Sequence, residues 1–444
     1  RSFRRSFYGK VVSLFKAKLS AYDQEKPLTC GCNSNMVDLH AFNLAGWTKI
    51  VNGISKGLHD GSIQPEDLNK DAILKTYNNI NKGAADSYGN NWSNFDQDQE
   101  SLKTVQSLKK NIYLFSGAKT YAMQQEMNNL LHKDGKLKPY NEFKTDALKL
   151  NPTYNKNYLQ AEHQTARSTA NHVKSWQQFQ ANKDIFPNLR YKTVGDSRVR
   201  EVHENLNDII KPIDDPFWDA FYPPNGFRCR CYASQTTDTS DIGKINPRKN
   251  GVTPQFQQNA AKSGQIYNAN KHPYFALAKA GGRKVAKEME LSKNNAPYET
   301  AYKSSTTKAT VKVNPFADTK DLKGNFQAAV KIADKLGLPV KIRPHLDGMI
   351  VKNQPNPEYQ INGKLGERKS PQGGNFKNLL KKAAKQNVEV LVLDLKDSGL
   401  NIEQAKTSLN TILKNKKNHP KIKEVILISK DKNDVVMLKR KDFK

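Results

Sequence analysis

Two groups of residues in this 444-residue chain carry side chains that could do chemistry. The first lies towards the C-terminus, in Pro355–Pro371, PNPEYQINGKLGERKSP. Side chains alternate in extended backbone, so Glu367 and Lys369 project to the same side. An acid and an amine together, followed by Ser370 and the turn Gln372-Gly373-Gly374, form a phosphate-handling surface. Small residues let backbone N–H groups approach an anion, and the helix expected next points its positive end towards it. Arg343 and His345, at the end of an adjacent strand, would add charge stabilisation and a proton shuttle. Residues 311–444 hold 28 Lys and Arg against 14 Asp and Glu, an excess that suits a polyanionic substrate. Plain alternatives stand beside each choice. Glu367 and Lys369 can be a surface ion pair worth little. His345 can be an ordinary loop histidine, and Asp394, ending a buried strand, can simply cap the next turn.

The same stretch also fits a metal-dependent chemistry. Pro357-Glu358 followed by Glu367-Arg368-Lys369 matches the PD-(D/E)xK pattern of metal-dependent nucleases, and ranks second. There, two carboxylates hold Mg²⁺ and the lysine supports the attacking water. The second group lies mid-chain. Cys229 and Cys231 stand at i,i+2, His203 is a third soft ligand, and Asp214 or Asp215 would complete a tetrahedral zinc site. The alternative is two small buried hydrophobes and a hydrogen-bonded histidine. Asp196, Arg198 and Arg200 read as a structural ion-pair network, and Phe217 and Trp218 as core or interface anchors.

Around the second group, D-x-R-x-R-x-x-H (196–203), DDPFWD (214–219) and PPNG-x-x-CRC (223–231) occur in order. The run from about Tyr158 to Ala233 resembles the phage Mu F-type head morphogenesis family of minor capsid proteins. That resemblance implies a virion component, with phage portal or capsid proteins as partners and no established reaction. It also implies that Glu162 and Arg167, on the preceding helix, approach the His203 region. PEYQINGKLGERKSPQGG, KKAAKQNVEVLVLDLKDSGL and KIKEVILISKD, also in order, resemble the C-terminal tRNase domain of contact-dependent growth-inhibition toxins. This second resemblance runs from about Phe316. It implies a barnase/colicin-type nuclease fold, RNA (tRNA above all) as substrate, no cofactor for the cleavage, and a cognate immunity protein. It carries onto Lys364, Glu367, Lys369, Ser370 and Asp394. Arg368 and Gln372 depart from it, standing where an apolar residue and a Thr are expected.

The elements that must position these residues divide the chain into four. Residues 1–150 read as a helical N-terminal region, with Leu39, Phe42, Leu44, Trp47, Ile50, Val51, Ile54 and Leu58 near a 3.6 period. Residues 151–235 form an α+β Mu F-like module, opened by a long helix over Asn157–Asn182 whose Trp176 and Phe179 plug the module. Residues 236–315, mixed in Asn, Lys, Gln and Gly, read as linker. Residues 316–444 read as a compact α+β domain in the order helix, antiparallel strands, helix, strand, helix, strand hairpin, with Asn362-Gly363 as a strong hairpin signal. The strands expected there include Gly348–Val351, and the strongest core strand is Val388–Leu395.

Net charge of +29 and a pI near 9.7 favour contact with nucleic acid, whereas a mean hydropathy of −0.78 is polar for a globular chain. No run of 18 apolar residues exists, so no membrane span or membrane partner is expected. The basic start, RSFRRSFYGK, lacks a signal-peptide pattern and an initiator methionine, as in a fragment or processed chain. Four cysteines in two pairs, Cys30/Cys32 and Cys229/Cys231, fit a reducing compartment. The combined reading is a phage minor head protein, located in the virion and then the host cytoplasm. Its C-terminal ribonuclease cleaves RNA by metal-independent transesterification. The rivals are a structural head protein with a basic DNA-binding tail, a metal-dependent nuclease and a bacterial polymorphic toxin.

Overall fold

The computed structural model describes residues 44–95, 98–241, 251–415, 417–431 and 433–443. The basic start, Cys30, Cys32, Leu39 and Phe42 lie outside the described residues. The chain divides into two compact units, one of residues up to Trp92 with Ser107–Met289, the other of Ser93–Gln106 with Glu290–Lys444.

The first unit is mainly helical. Its helices are α1 (Ala45–Asp60), α2 (Lys70–Tyr88), α3 (Gln99–Asn129, whose start to Gln106 belongs to the second unit) and α4 (Tyr140–Pro152). A small hairpin, β1 (His132–Lys133) with β2 (Lys136–Leu137), separates α3 from α4. A π-helical turn at Thr153–Tyr158 leads from α4 into α5 (Leu159–Ala181). Trp47, Val51, Ile54 and Leu58 are buried, as their spacing requires, and Gly61 at φ 76° ends α1 in the left-handed conformation. The Asn69 side chain caps α2 by accepting the Ala72 N–H.

A three-stranded antiparallel sheet follows, in the order β4-β3-β5. It comprises β3 (Asn188–Lys192), β4 (Ile210–Pro212) and β5 (Tyr232–Thr236), with α6 (Glu201–Glu204) and α7 (Phe217–Phe221) in its connections. Trp176 of α5 packs edge-on against Tyr222 at 4.8 Å between centroids, and Trp218 is fully buried, donating to the Pro212 carbonyl.

The linker reading of residues 236–315 is corrected by their structure. Residues 242–250 lie outside the described residues, but beyond them come α8 (Ala260–Ser263), α9 (Pro273–Ala280) and α10 (Gly282–Ser292). Tyr267, Tyr274, Leu277 and Val285 are buried, and Tyr267 stacks on Phe115 at 3.7 Å. Each short segment contributes only one or two large residues to a core assembled elsewhere, so none shows a period by itself. Further on, β6 (Glu299–Lys303) and β7 (Thr310–Val313) pair with each other and join the sheet of the second unit.

That sheet has eight strands, in the order β13-β12-β11-β10-β9-β8-β7-β6. The remaining strands are β8 (Val340–Ile342), β9 (Tyr359–Ile361), β10 (Lys364–Lys369), β11 (Val390–Asp394), β12 (Glu424–Ile428) and β13 (Val435–Lys439). Helix α11 (Leu322–Leu336) packs on one face against Val390, Val392, Ile426 and Ile428. Helices α12 (Lys377–Lys385) and α13 (Ile402–Leu413) cover the other through Leu391, Leu393, Val425 and Leu427. A strand covered on both faces reads as a continuous apolar run, which explains Val390–Asp394. The strands expected to be antiparallel, β8, β9 and β10, pair so, and β12 with β13 forms the closing hairpin, whereas β10, β11 and β12 run parallel, joined by α12 and α13 as crossovers. What holds is a multidomain chain of helices and mixed sheets; the barnase/colicin-type fold does not follow from this topology. Gly348–Val351, expected as a strand, is a turn, its amides at Met349, Ile350 and Val351 bonded back to Asp347.

Because β6 and β7 complete the sheet edge, limited proteolysis should leave residues 299–313 attached to the C-terminal fragment. A stable fragment beginning at Val311, identified by mass spectrometry, would contradict this strand assignment.

Candidate active site

The site is set by one hairpin. Asn362 (φ 45°) and Gly363 (φ 83°) both take the left-handed conformation that a two-residue turn requires. The turn pairs Ile361 with Lys364 and Tyr359 with Gly366, so Glu358 falls opposite Glu367. The Glu358 N–H donates to Glu367 Oε2 at 3.3 Å, and the Arg368 N–H donates to Glu358 Oε2 at 3.0 Å. Lys369 Nζ reaches Glu367 Oε1 at 2.5 Å, as two side chains on one side of a strand should. On the other side of Glu358, its carbonyl accepts the Arg343 N–H at 2.8 Å. Arg343, Glu358 and Glu367 thus follow one another across three adjacent strands. The Arg343 guanidinium donates to the Pro357 carbonyl at 2.9 Å.

Burial, and then the charge of Glu367, push the Glu358 carboxyl up to about 7, against the opposing pull of Lys369 and Arg368. Glu367 itself is buried. Two carboxylates side by side, one protonating near neutrality, with an ammonium against the second, can exchange a proton or share a divalent cation.

The other expected residues divide around this cluster. Asp394 lies on the opposite side of β10 and β11, where its Oδ2 accepts from Arg368 Nη2 at 2.8 Å and Nε at 3.3 Å. Arg368 also donates to Asn325 Oδ1 at 3.2 Å and to the Ser370 hydroxyl at 3.1 Å. Asp394 and Ser370 therefore belong to a polar knot under α11, and Asp394 Oδ1 also accepts the Lys396 N–H at 3.4 Å, capping the turn that follows β11. Lys364 is drawn away to Glu424 at 2.5 Å. His345 is exposed, its backbone N–H bonded to the Phe316 carbonyl, and no hydrogen bond among the described residues ties its ring to the cluster. Gly373 has open space around it and Gly374 lies against Leu400 and Ser408, in the turn before α12. Glu358 enters the sequence reading only through the PD-(D/E)xK pattern. Counting back from the Asn-Gly turn would have found it, because the turn sets the register.

In the first unit, His203, Cys229 and Cys231 do come together, all buried, with their ligand atoms within 4.8 Å of one another. Asp214 and Asp215 do not join them: Asp214 pairs with Lys183, and Asp215 accepts the Phe217 N–H at 2.7 Å. Glu162 faces Lys119 in a fully buried ion pair instead of approaching His203, and Arg167 acts on His163. Asp196 is clasped by both guanidinium nitrogens of Arg230, at 2.5 and 2.6 Å, which holds its carboxyl well below the usual range. Arg198 joins that pair, whereas Arg200 donates to the Phe227 carbonyl at 2.7 Å.

Residues 114–234 match the family profile of phage Mu protein F-like proteins, and residues 354–433 that of the contact-dependent growth inhibition CdiA C-terminal domain. A 67-residue stretch is 43% identical to the Mu-like prophage FluMu F protein of Haemophilus influenzae, covering 15% of this chain and 16% of that one. A 48-residue stretch is 44% identical to the putative capsid assembly protein F of Escherichia phage Mu, covering 11% of each. The chain thus spans under a fifth of these curated relatives' length. A solved chain from the CdiA-CT/CdiI toxin and immunity complex of Burkholderia pseudomallei aligns at 25% identity, over 28% of this chain and 91% of that chain, with a TM-score of 0.22. The chain therefore carries a Mu F-like segment followed by a segment like the CdiA C-terminal domain.

The raised Glu358 carboxyl has a consequence for stability. It is protonated in the fold at pH values where the unfolded chain, at its ordinary 4.5, is charged. Its contribution is therefore fully present below pH 4.5 and is lost as pH rises to about 7. Glu358→Gln should flatten this slope and leave the C-terminal unit more stable at pH 8, on the order of 1–3 kcal/mol, in urea melts at several pH values. Asp394→Ala should behave differently, costing about 3–5 kcal/mol because it leaves Arg368 buried without its carboxylate.

Proposed function

We propose that this chain is a virion-associated head protein of the Mu F type, whose C-terminal part is a metal-dependent nuclease toxin acting on RNA. The carrying observation is the pair Glu358 and Glu367 on neighbouring strands, with Lys369 against the second. Two carboxylates crowded together are what a small divalent cation requires, since Mg²⁺ is commonly held by one or two carboxylates, waters and the substrate phosphate. Glu358 and Glu367 would hold the ion, and when bound it would polarise the scissile phosphate and lower the pKa of an attacking water. Lys369 then presents its ammonium to the charge that builds on the phosphate. Arg343, one strand further out, helps to hold the backbone of the substrate.

RNA, with tRNA foremost, is supported by the likeness of residues 354–433 to the CdiA C-terminal domain and by the excess of Lys and Arg in residues 311–444. That likeness also supports a cognate immunity protein as partner. The Mu F-like segment supports portal or capsid proteins as partners, with the nuclease reaching the host cytoplasm on DNA ejection. A second reading keeps the same residues without a metal. RNA supplies its own 2′-hydroxyl, so the Glu367–Lys369 pair could serve as base and cationic stabiliser.

The full chain incubated with a tRNA pool separates the readings. EDTA should stop cleavage and Mg²⁺ or Mn²⁺ restore it. Lys369→Ala and Glu367→Gln should each slow it by about 10²–10³ without altering the circular dichroism spectrum. Cleavage that survives EDTA and leaves a 2′,3′-cyclic phosphate would establish the metal-independent route instead. If neither RNA nor DNA is cut, the enzyme assignment fails and a structural head protein with a basic DNA-binding tail remains. Neighbouring portal and terminase genes, as against an immunity gene alone, distinguish a phage protein from a bacterial polymorphic toxin.

A further inference from the structure

The Mu F-like segment buries a second constellation that the nuclease does not use. His203 stands in α6, while Cys229 and Cys231 lie on the approach to β5. Their separation along the chain, 26 and 28 residues, is closed entirely by the fold. His203 Nε2 meets the Asn225 carbonyl at 3.3 Å. A carbonyl only accepts, so Nε2 carries the proton and Nδ1 presents its lone pair. That lone pair faces two sulfurs at nearly equal range, 3.7 Å to Cys229 Sγ and 3.6 Å to Cys231 Sγ.

One lone pair can accept one thiol proton; the second thiol then bonds to the first sulfur, so hydrogen bonding within the trio is the metal-free alternative. A shared ion also accounts for the two sulfurs. With Zn–S bonds of about 2.3 Å and Zn–N bonds of about 2.0–2.1 Å at tetrahedral angles, the nitrogen-to-sulfur edge comes to roughly 3.6 Å. Both observed distances match that edge. We infer that His203, Cys229 and Cys231 hold a zinc ion through one imidazole nitrogen and two thiolates.

The surroundings are built to support such a ligand set. Asn225, whose carbonyl sets the tautomer of His203, is itself buried and held by the Tyr191 hydroxyl, which donates to its Oδ1 at 2.9 Å. A second partner that fixes a ligating histidine in this way is the usual accompaniment of a metal-bound imidazole. Gly226 lies beside the trio: a Cβ there would stand 2.9 Å from Arg200 Nη1, at the end of a long side chain, and in ordinary contact, 3.5 Å, with His203 Cε1. Among the described residues no further His, Cys, Asp or Glu joins the three, so the fourth corner falls to water or another small ligand. The ion would pin α6 to the segment that leads into β5 of the β4-β3-β5 sheet.

The test uses the full chain, purified without chelator from zinc-supplemented medium. Elemental analysis should find about one zinc per chain in the wild type, falling below about 0.1 in His203→Gln, Cys229→Ser and Cys231→Ser. Those variants could fail to fold, so the wild type is also exchanged with Co²⁺. A tetrahedral spectrum with thiolate charge-transfer bands of two-sulfur intensity is expected, together with a lowered Tm after chelation that zinc reverses. Protein that purifies without zinc, gives no such cobalt spectrum and melts identically with zinc or chelator would overturn the assignment, leaving a buried thiol–imidazole contact.

Discussion

Two neighbouring carboxylates cannot both ionise inside a protein without cost, and the second unit is arranged so that Glu358 and Glu367 stand together all the same. Only a rigid support can hold such a pair. The support is the sheet, clamped between α11 on one face and α12 and α13 on the other. Directly behind the carboxylates, on the reverse side of β10, Arg368 is fastened to Asp394, Asn325 and Ser370. The strand therefore carries alternating charges that point to opposite faces. Glu367 and Lys369 look one way, and Arg368 looks the other into a polar knot that fixes the strand's position.

The first unit uses burial of polar groups in a comparable way. Lys119 and Glu162 form an ion pair deep among helices, and burial lowers the lysine's pKa below its ordinary value. A buried pair of this kind gains little net stability, since desolvation opposes the attraction, but losing either partner is costly. Near the sheet, Tyr191, Asn225, His203 and the two cysteines interlock through buried polar contacts. Trp176 and Trp218 each pack edge-on against Tyr222, which explains why large rings occur close together between residues 176 and 222.

Much of this was legible in the residues themselves. The apolar run of β11 and the Asn362-Gly363 turn each rest on local physics, namely continuous burial and turn geometry. The spacing of Glu367 and Lys369 placed them on one side of a strand, and the fold brings Cys229 and Cys231 close to His203. Less legible were residues 251–313, whose short elements lend single aromatic or apolar residues to a core made by others.

Local sequence thus determined which segments become helices and strands, which side chains share a strand face, and the order of motifs that marks the two recognisable segments. Tertiary structure decided which strands lie side by side in the eight-stranded sheet, because that order depends on where the crossover helices pack. It also decided that Asp394 and Ser370 turn away from Glu367 while Lys364 is held by Glu424, since each ends where its nearest opposite charge or donor lies in space. Glu358 falls between the two: the hairpin register placed it opposite Glu367, but only burial among the packed strands raised its carboxyl towards neutrality.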